Sequence, residues 1–483
     1  MSLLISCSKV YELLGNVQNI LKTDGSVRRV IPIDTGKNKS YYVGETVRAF
    51  NGDILHLCHA GSTHYQSNDI KILAYRSVDD GLSWKAEGIL AEDPTHQLRN
   101  PVATVTANGR IIMSYGRLQN PGEGWDSEQY IKYSDDHGHS WQGPVTRSSL
   151  GLPGSIASYV LNPVDSSLIC ACRDLSTGYQ YHVYRSTMAE NGLSWTKISD
   201  NITPESNSPA EAFLEYLGPR LFCCVRLEAG TNKVGILYSD NDGITWSNTS
   251  YHPELQQLAG WNRIFRVPGG LIWMFREYHE RHGQINYYYS RDGHFWFRAG
   301  ELLRLPTSFD SGYWDVVDRM DGRILATFPV EHDPFGDRTQ TVENSLSGVY
   351  ATILNVDPTA IRGKASSIIL SKNSIAPEEW TTLDDCMPVS LEEGITNLTV
   401  TVEGTYNADA TSGLAVRVLS SYDGVNWDTQ DLDTWDVDFG PGLTIRQTRS
   451  YPNIAAHTLK VAVGNLDNIQ AVENVKAVCS LSR

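Results

Sequence analysis

Arginines, carboxylates, histidines and one tyrosine recur at two kinds of position along this 483-residue sequence. Glu45, Arg99, Glu211, Arg263, Arg266, Tyr313 and Asp315 stand in or beside short segments rich in β-branched and aromatic residues. His59, His64 and Arg226 close the segments that follow, and Asp69 comes shortly afterwards. Arginine matches a carboxylate with two parallel N–H groups, so a cavity gathering these cations suits an anionic polar ligand such as a sugar acid. Hydrolysis of a glycosidic bond needs a nucleophile or base on one side and an acid on the other. A tyrosine, with a pKa of ~10, needs a basic partner to serve near neutrality. Each such residue taken alone reads as a solvated strand end. Residues as distant as 45 and 315 share a site only in a fold built to converge.

The sequence contains the elements of such a fold. "YRSVDDGLSW" ends at Trp84, and close variants end at Trp141, Trp195, Trp246 and Trp296, at intervals of 57, 54, 51 and 50 residues. A period of this size calls for one supersecondary unit per repeat. Each unit begins with a strand, a tight turn and a strand, as in "ETVRAFNGDILHLCHAG" and "ATVTANGRIIMSYGRL", with Asn-Gly, Gly-Gly or Asp-Gly at many of the turns. A third strand precedes the Trp motif and a fourth follows it. A sixth front half, "GYWDVVDRMDGRILATFPVEH", is followed only by "SGVYATILNV". Four antiparallel strands every ~50 residues match the blade of a β-propeller, and six repeats predict six blades. The first strand of each blade lines the shared channel. The Trp motif itself varies: Asn241 replaces its Asp, and Glu190-Asn191 stand there in the third copy. That variation marks a turn-forming scaffold, in which Ser and Asp bond turn amides and Trp packs into the sheet.

The pattern S-x-D-x-G-x-x-W resembles the Asp-box of the sialidase (neuraminidase) superfamily over roughly residues 40–355. The resemblance implies Asp-boxes at the blade periphery and a site at the channel mouth. There the family holds a substrate carboxylate with three Arg, attacks with a Tyr activated by a Glu, and protonates through an Asp on a blade-one loop. "GYWDVVDRMDGRI" is similar to the nucleophile strand and sets Tyr313 on the family's Tyr. Arg226 in "RLFCCVR" falls on the second Arg, and Arg266 in "RIFRVPGG" is in register for the third, with Arg263 close by. Glu211 in "SPAEAFLEY" stands one residue from the expected Glu, a slip that turns a strand side chain to the opposite face unless a bulge intervenes. Tyr42 occupies the counted position of the first Arg. Gln66 lies closest to that of the Asp, with Asp69 three residues on.

The expected protein is therefore all-β: a six-bladed, sialidase-like propeller followed by a C-terminal β-sandwich. Residues 1–39 form an N-terminal segment packing on the propeller, 40–358 the propeller, 359–380 a linker and 381–483 the sandwich. The last assignment rests on alternating runs such as "NLTVTVEGTY" and on a shift in charge. From Ala376 onward there are 16 acidic and 6 basic residues, so this segment carries −10 of the net −16. The expected activity is hydrolysis of a glycan ending in an acidic sugar. Tyr313 and Glu211 supply nucleophile and base, and Asp69, Glu45 or Asp315 the acid. Arg226, Arg266, Arg263, Arg99, His59, His64 and Glu45 bind substrate. Two other readings stay open: a polysaccharide lyase acting on uronic acids through Tyr or His, and a non-catalytic glycan-binding protein of the adhesin or phage-receptor type. No cofactor or metal is expected. The acidic balance excludes nucleic acid as a general partner, no apolar run reaches the ~18 residues of a membrane span, and the start lacks a signal-peptide pattern. Oligomer contact through the C-terminal domain is a further possibility, as is pairing of Cys386 with Cys479.

Overall fold

The computed structural model describes residues 21–30, 41–61, 69–118, 128–174, 180–203, 209–227, 233–247, 249–251, 259–277, 284–304, 309–310, 313–332, 348–357, 364–391, 395, 397–422, 426–452 and 458–482. His64 and Gln66 lie outside them. The chain divides into two compact units, residues 1–289 with 299–360, and residues 290–298 with 361–483.

Six antiparallel sheets make up the propeller. Their first strands are Tyr41–Arg48, Gln97–Val105, Ser155–Leu161, Pro209–Leu217, Ala259–Val267 and, in the sixth blade, Asp315–Asp318. In the first five blades the next three strands follow in chain order. Second strands lie between the first and third strands of their blades and are buried on both faces: every residue of Ile54–Gly61 is buried, and Cys223 and Cys224 are both buried within Arg220–Leu227. The fourth strand of blade one buries little, Lys85–Gly88 being exposed, whereas that of blade five buries Phe297, Ala299 and Leu302.

The sixth blade differs from the sequence-based expectation. Its outermost strand is Leu21–Arg29, from the N-terminal segment, which pairs antiparallel with Gly348–Val356. The missing sixth Trp motif is explained: no hairpin is needed where the fourth strand arrives from the other end of the chain. In this strand, "LKTDGSVRR", Leu21 and Val27 are buried, but only two apolar residues six apart mark it in the sequence.

The first, second and fourth Asp-boxes share the same Ser and Asp or Asn bonds to turn amides. In the second, Ser134 Oγ accepts the Gly138 N–H at 2.8 Å, and Asp136 Oδ1 accepts the Ser140 N–H at 2.8 Å. Trp141 Nε1 donates to the Gly138 carbonyl at 3.1 Å. Gly138 has φ +82°, a backbone that a side chain would strain. Bonds from Ser140 hold the Asp136 carboxyl below its ordinary pKa. The fourth copy substitutes Asn241, whose Oδ1 accepts the Thr245 N–H at the same 2.8 Å. An amide oxygen serves as well as a carboxylate here.

The second unit contains two four-stranded sheets. One orders Lys364–Ile375, Val472–Ser482, Asn397–Tyr406 and Thr444–Pro452, and the other Val389–Ser390, Thr458–Asn465, Leu414–Ser421 and Asp433–Asp436. Residues 364–375, expected in a linker, are thus an edge strand. Cys386 and Cys479 are buried free thiols, so the expected pairing does not form.

Ser134→Ala removes the acceptor of a buried N–H. It is expected to cost about 1–2 kcal/mol, read as a lower urea midpoint, with ligand binding unchanged.

Candidate active site

The inner strands begin at one end of the propeller, and four of them carry a bulge there. The register slips between Arg99 and Val102, Ile156 and Ser158, Ala210 and Phe213, and Gly260 and Asn262. Such an extra residue kinks the strand and re-aims side chains. Glu211 occupies the blade-four bulge with φ +51°, a left-handed conformation disfavoured for Glu. Its carbonyl is held by Asn262 Nδ2 at 3.0 Å, and Asn262 is itself fully buried in blade five. The bulge takes Glu211 out of the regular alternation of its strand.

Tyr313 reaches the same place from blade six. The inner strand there is interrupted: Phe309–Asp310 and Asp315–Asp318 pair separately with Ile324–His332, and Tyr313 lies between them with φ +62°. Its phenol donates to Glu211 Oε1 at 3.1 Å, and Arg226 Nη1 donates to the same oxygen at 3.3 Å. A tyrosine, a carboxylate and an arginine from blades six and four therefore share one hydrogen-bonded point. All three are partly accessible.

A second cluster lies further along the inner strands. Arg263 of blade five donates to both oxygens of Glu45 in blade one, Nη1 to Oε1 at 2.7 Å and Nη2 to Oε2 at 3.0 Å. Nη2 also pairs with Asp315 Oδ1 of blade six at 2.8 Å. Asp315 accepts the Thr46 N–H through Oδ2 and the Val316 N–H through Oδ1. The Arg263 guanidinium sits 5.0 Å from the centroid of the Phe213 ring. Burial pushes the Glu45 carboxyl up to about 7 against the pull of Arg263, and raises Asp315 in the same way. Burial opposes the charge on Arg263, but the two carboxylates outweigh it and raise its pKa.

The remaining predicted residues fall in separate places. His59 is fully buried and accepts the Asn100 N–H at 3.0 Å, joining blade one to blade two; burial and the neighbouring Arg99 keep it neutral. Arg99 is buried beside it. Asp69 precedes the third strand of blade one at the same end as Tyr41 and Gly61. Arg266 is not brought to Tyr313: it is exposed, stands opposite Leu271 near the far turn, and its N–H donates to Glu215 Oε2 at 3.2 Å. The three-residue spacing between Arg263 and Arg266 puts them on opposite strand faces. Sequence reasoning missed the contributions of Thr46 and Phe213. Neither left a signal, since both read as ordinary strand residues. Among the described residues no three His, Cys, Asp or Glu side chains gather to hold a metal ion, and no helix is long and apolar enough to cross a membrane.

Residues 52–325 match the BNR repeat-like domain. The chain belongs to that family. Similar solved structures include a Dyadobacter fermentans protein of unknown function, with 15% identity and a TM-score of 0.55, spanning 70% of this chain and all of that one. A variant of the NanB sialidase of Streptococcus pneumoniae aligns at 12% identity and TM-score 0.51 over 69% of this chain and 71% of its own. The Trypanosoma rangeli sialidase bound to the inhibitor DANA aligns at 11% identity and TM-score 0.51 over 95% of both chains. No curated protein matches the chain. Within the BNR repeat-like family this chain thus has a sialidase-like fold, with four bulged inner strands, one of which carries Glu211.

Two expectations follow. Asn262→Leu leaves the Glu211 carbonyl unpaired and should cost about 1–3 kcal/mol in urea unfolding. His56 is buried and hydrogen-bonded to Thr46 Oγ1 at 3.0 Å, and burial lowers its pKa from 6.5 to about 3. Below pH 6.5 the unfolded chain takes up a proton there that the folded chain refuses, so stability should fall between pH 6.5 and 3. A shallower acid-unfolding slope for His56→Gln, followed by circular dichroism, is the expected outcome.

Proposed function

We propose that the protein is a glycoside hydrolase that removes a terminal acidic sugar. The observation that carries this reading is the hydrogen bond from Tyr313 to Glu211, on an oxygen shared with Arg226. Tyrosine is a weak nucleophile until a base takes its proton. Glu211, already accepting that proton's hydrogen bond, is placed for the role. As the phenol oxygen attacks the anomeric carbon, Glu211 receives the proton and the bond to the leaving oxygen breaks. Water later displaces Tyr313: Glu211 returns its proton to the departing phenolate, and the carboxylate that protonated the leaving oxygen takes the proton the water gives up.

Arg226 lies beside this pair and suits the substrate carboxylate, which the geometry of guanidinium and carboxylate favours. The leaving oxygen needs a proton from the other face. Glu45 and Asp315 are both committed to Arg263, which leaves Asp69 as the acid of the predicted set. The sialidase-like fold supports the substrate class: the structural neighbours named above include sialidases.

Tyr313→Phe is expected to abolish release of acidic monosaccharide, by at least a thousandfold, while affinity for the ligand changes less than threefold. The assay is a panel of glycans ending in acidic sugars, read by monosaccharide release and by calorimetry. Appearance of an unsaturated uronate would mark a lyase instead. Tight binding with neither product would mark a glycan-binding protein, and undiminished turnover in Tyr313→Phe would remove Tyr313 from the reaction.

A further inference from the structure

Tyr313 stands in a break of its strand, in a left-handed backbone. The two residues that follow it in the chain are firmly anchored. Trp314 is fully buried and stacks on Phe328, with centroids 4.3 Å apart and planes 8° from parallel. Asp315 is 1% exposed and bonds outside its own blade twice: to the Thr46 N–H of blade one and to Arg263 of blade five. Arg263 is in turn fixed by Glu45 through two parallel bonds and by the face of Phe213. Phe213 is two residues from Glu211 on the blade-four strand. The same guanidinium thus touches the strand that carries the tyrosine and the strand that carries its carboxylate.

We propose that Arg263 is a positioning residue: clamped by Glu45, it holds Asp315 and Phe213 so that the Tyr313 hydroxyl and the Glu211 carboxylate stay within hydrogen-bond distance. This deepens the hydrolase reading and rests on it. It also reassigns Glu45, Arg263 and Asp315 from contact with substrate to support of the reacting pair. A misplacement of about 1 Å in such a pair can cost on the order of a hundredfold in rate without weakening binding.

The fork of Arg263 matters as well as its charge, because one guanidinium serves two carboxylates on different blades. Lys can meet only one of them well. Arg263→Met alone leaves two buried carboxylates unneutralised, so it is made together with Glu45→Gln.

The test compares wild type, Arg263→Lys and Glu45→Gln/Arg263→Met on an acidic-sugar glycoside, after thermal unfolding confirms that each is folded. The expected result is a kcat lowered about threefold in Arg263→Lys and at least tenfold in the double variant, with KM within twofold of wild type. A readout independent of turnover is the ¹³Cζ resonance of Tyr313, assigned by its loss in Tyr313→Phe. It should move in both variants. If Arg263 merely stabilises the fold, the midpoint falls while kcat, KM and that resonance stay at their wild-type values, which overturns the proposal. Should the double variant not fold, Arg263→Lys decides: wild-type kcat and an unmoved resonance overturn the role. If wild type releases no acidic sugar, the hydrolase reading fails separately, and an unmoved Tyr313 resonance still refutes the positioning.

Discussion

Two carboxylates and one guanidinium share the interior of the propeller, and the arrangement tolerates little change. Glu45, Arg263 and Asp315 come from blades one, five and six, each largely or fully buried, at distances of 2.7–3.0 Å. Removing charges from water costs several kcal/mol per ion, which only close geometry and further hydrogen bonds offset. Here the further bonds exist: Asp315 accepts two backbone N–H groups, and Arg263 lies against an aromatic face. Apolar packing between radial sheets is non-directional. The ion cluster is directional, and it sets how three inner strands stand relative to one another.

Scaffold and site obey different chemical rules in this chain. The Asp-boxes tolerate Asn for Asp because any short oxygen acceptor closes the turn, as Asn241 does at the distance Asp136 achieves. At the channel mouth the requirement is for a particular side chain at a particular atom. Three non-glycine residues there, Asn100, Glu211 and Tyr313, have positive φ values. Such conformations cost on the order of 1–3 kcal/mol each and persist only where the surroundings enforce them. They lie on blades two, four and six, at or beside an irregularity of the inner strand.

Much of the fold was legible in the sequence, and the reasons are specific. The Ser–Asp–Gly–Trp spacing counts blades because each hairpin must turn with the same hydrogen bonds. "NLTVTVEGTY" announces its strand because every second residue is buried. The closing strand Leu21–Arg29 was illegible, since its two buried apolar residues, Leu21 and Val27, are too far apart to show a period of two. The site was half legible. Resemblance to the sialidase superfamily marked Tyr313, Glu211 and Arg226, but a bulge leaves no signature in composition, so the register of Glu211 could only be left conditional. Nor can alternation decide between Arg263 and Arg266: the direction each points depends on which face meets the axis, a property of the assembled ring.

The pairing of Leu21–Arg29 with Gly348–Val356 has a consequence for how the chain acquires its shape. During synthesis the earliest of these strands emerges more than three hundred residues before its partner, and until then Gly348–Val356 is not there to receive it. Five blades can form hairpin by hairpin from local contacts, but the circle stays open until the two ends of this unit meet. Loop closure over such a span is slow, and an unjoined strand edge is prone to pair with the wrong chain. The step that completes the ring is therefore the last, and the one most exposed to error.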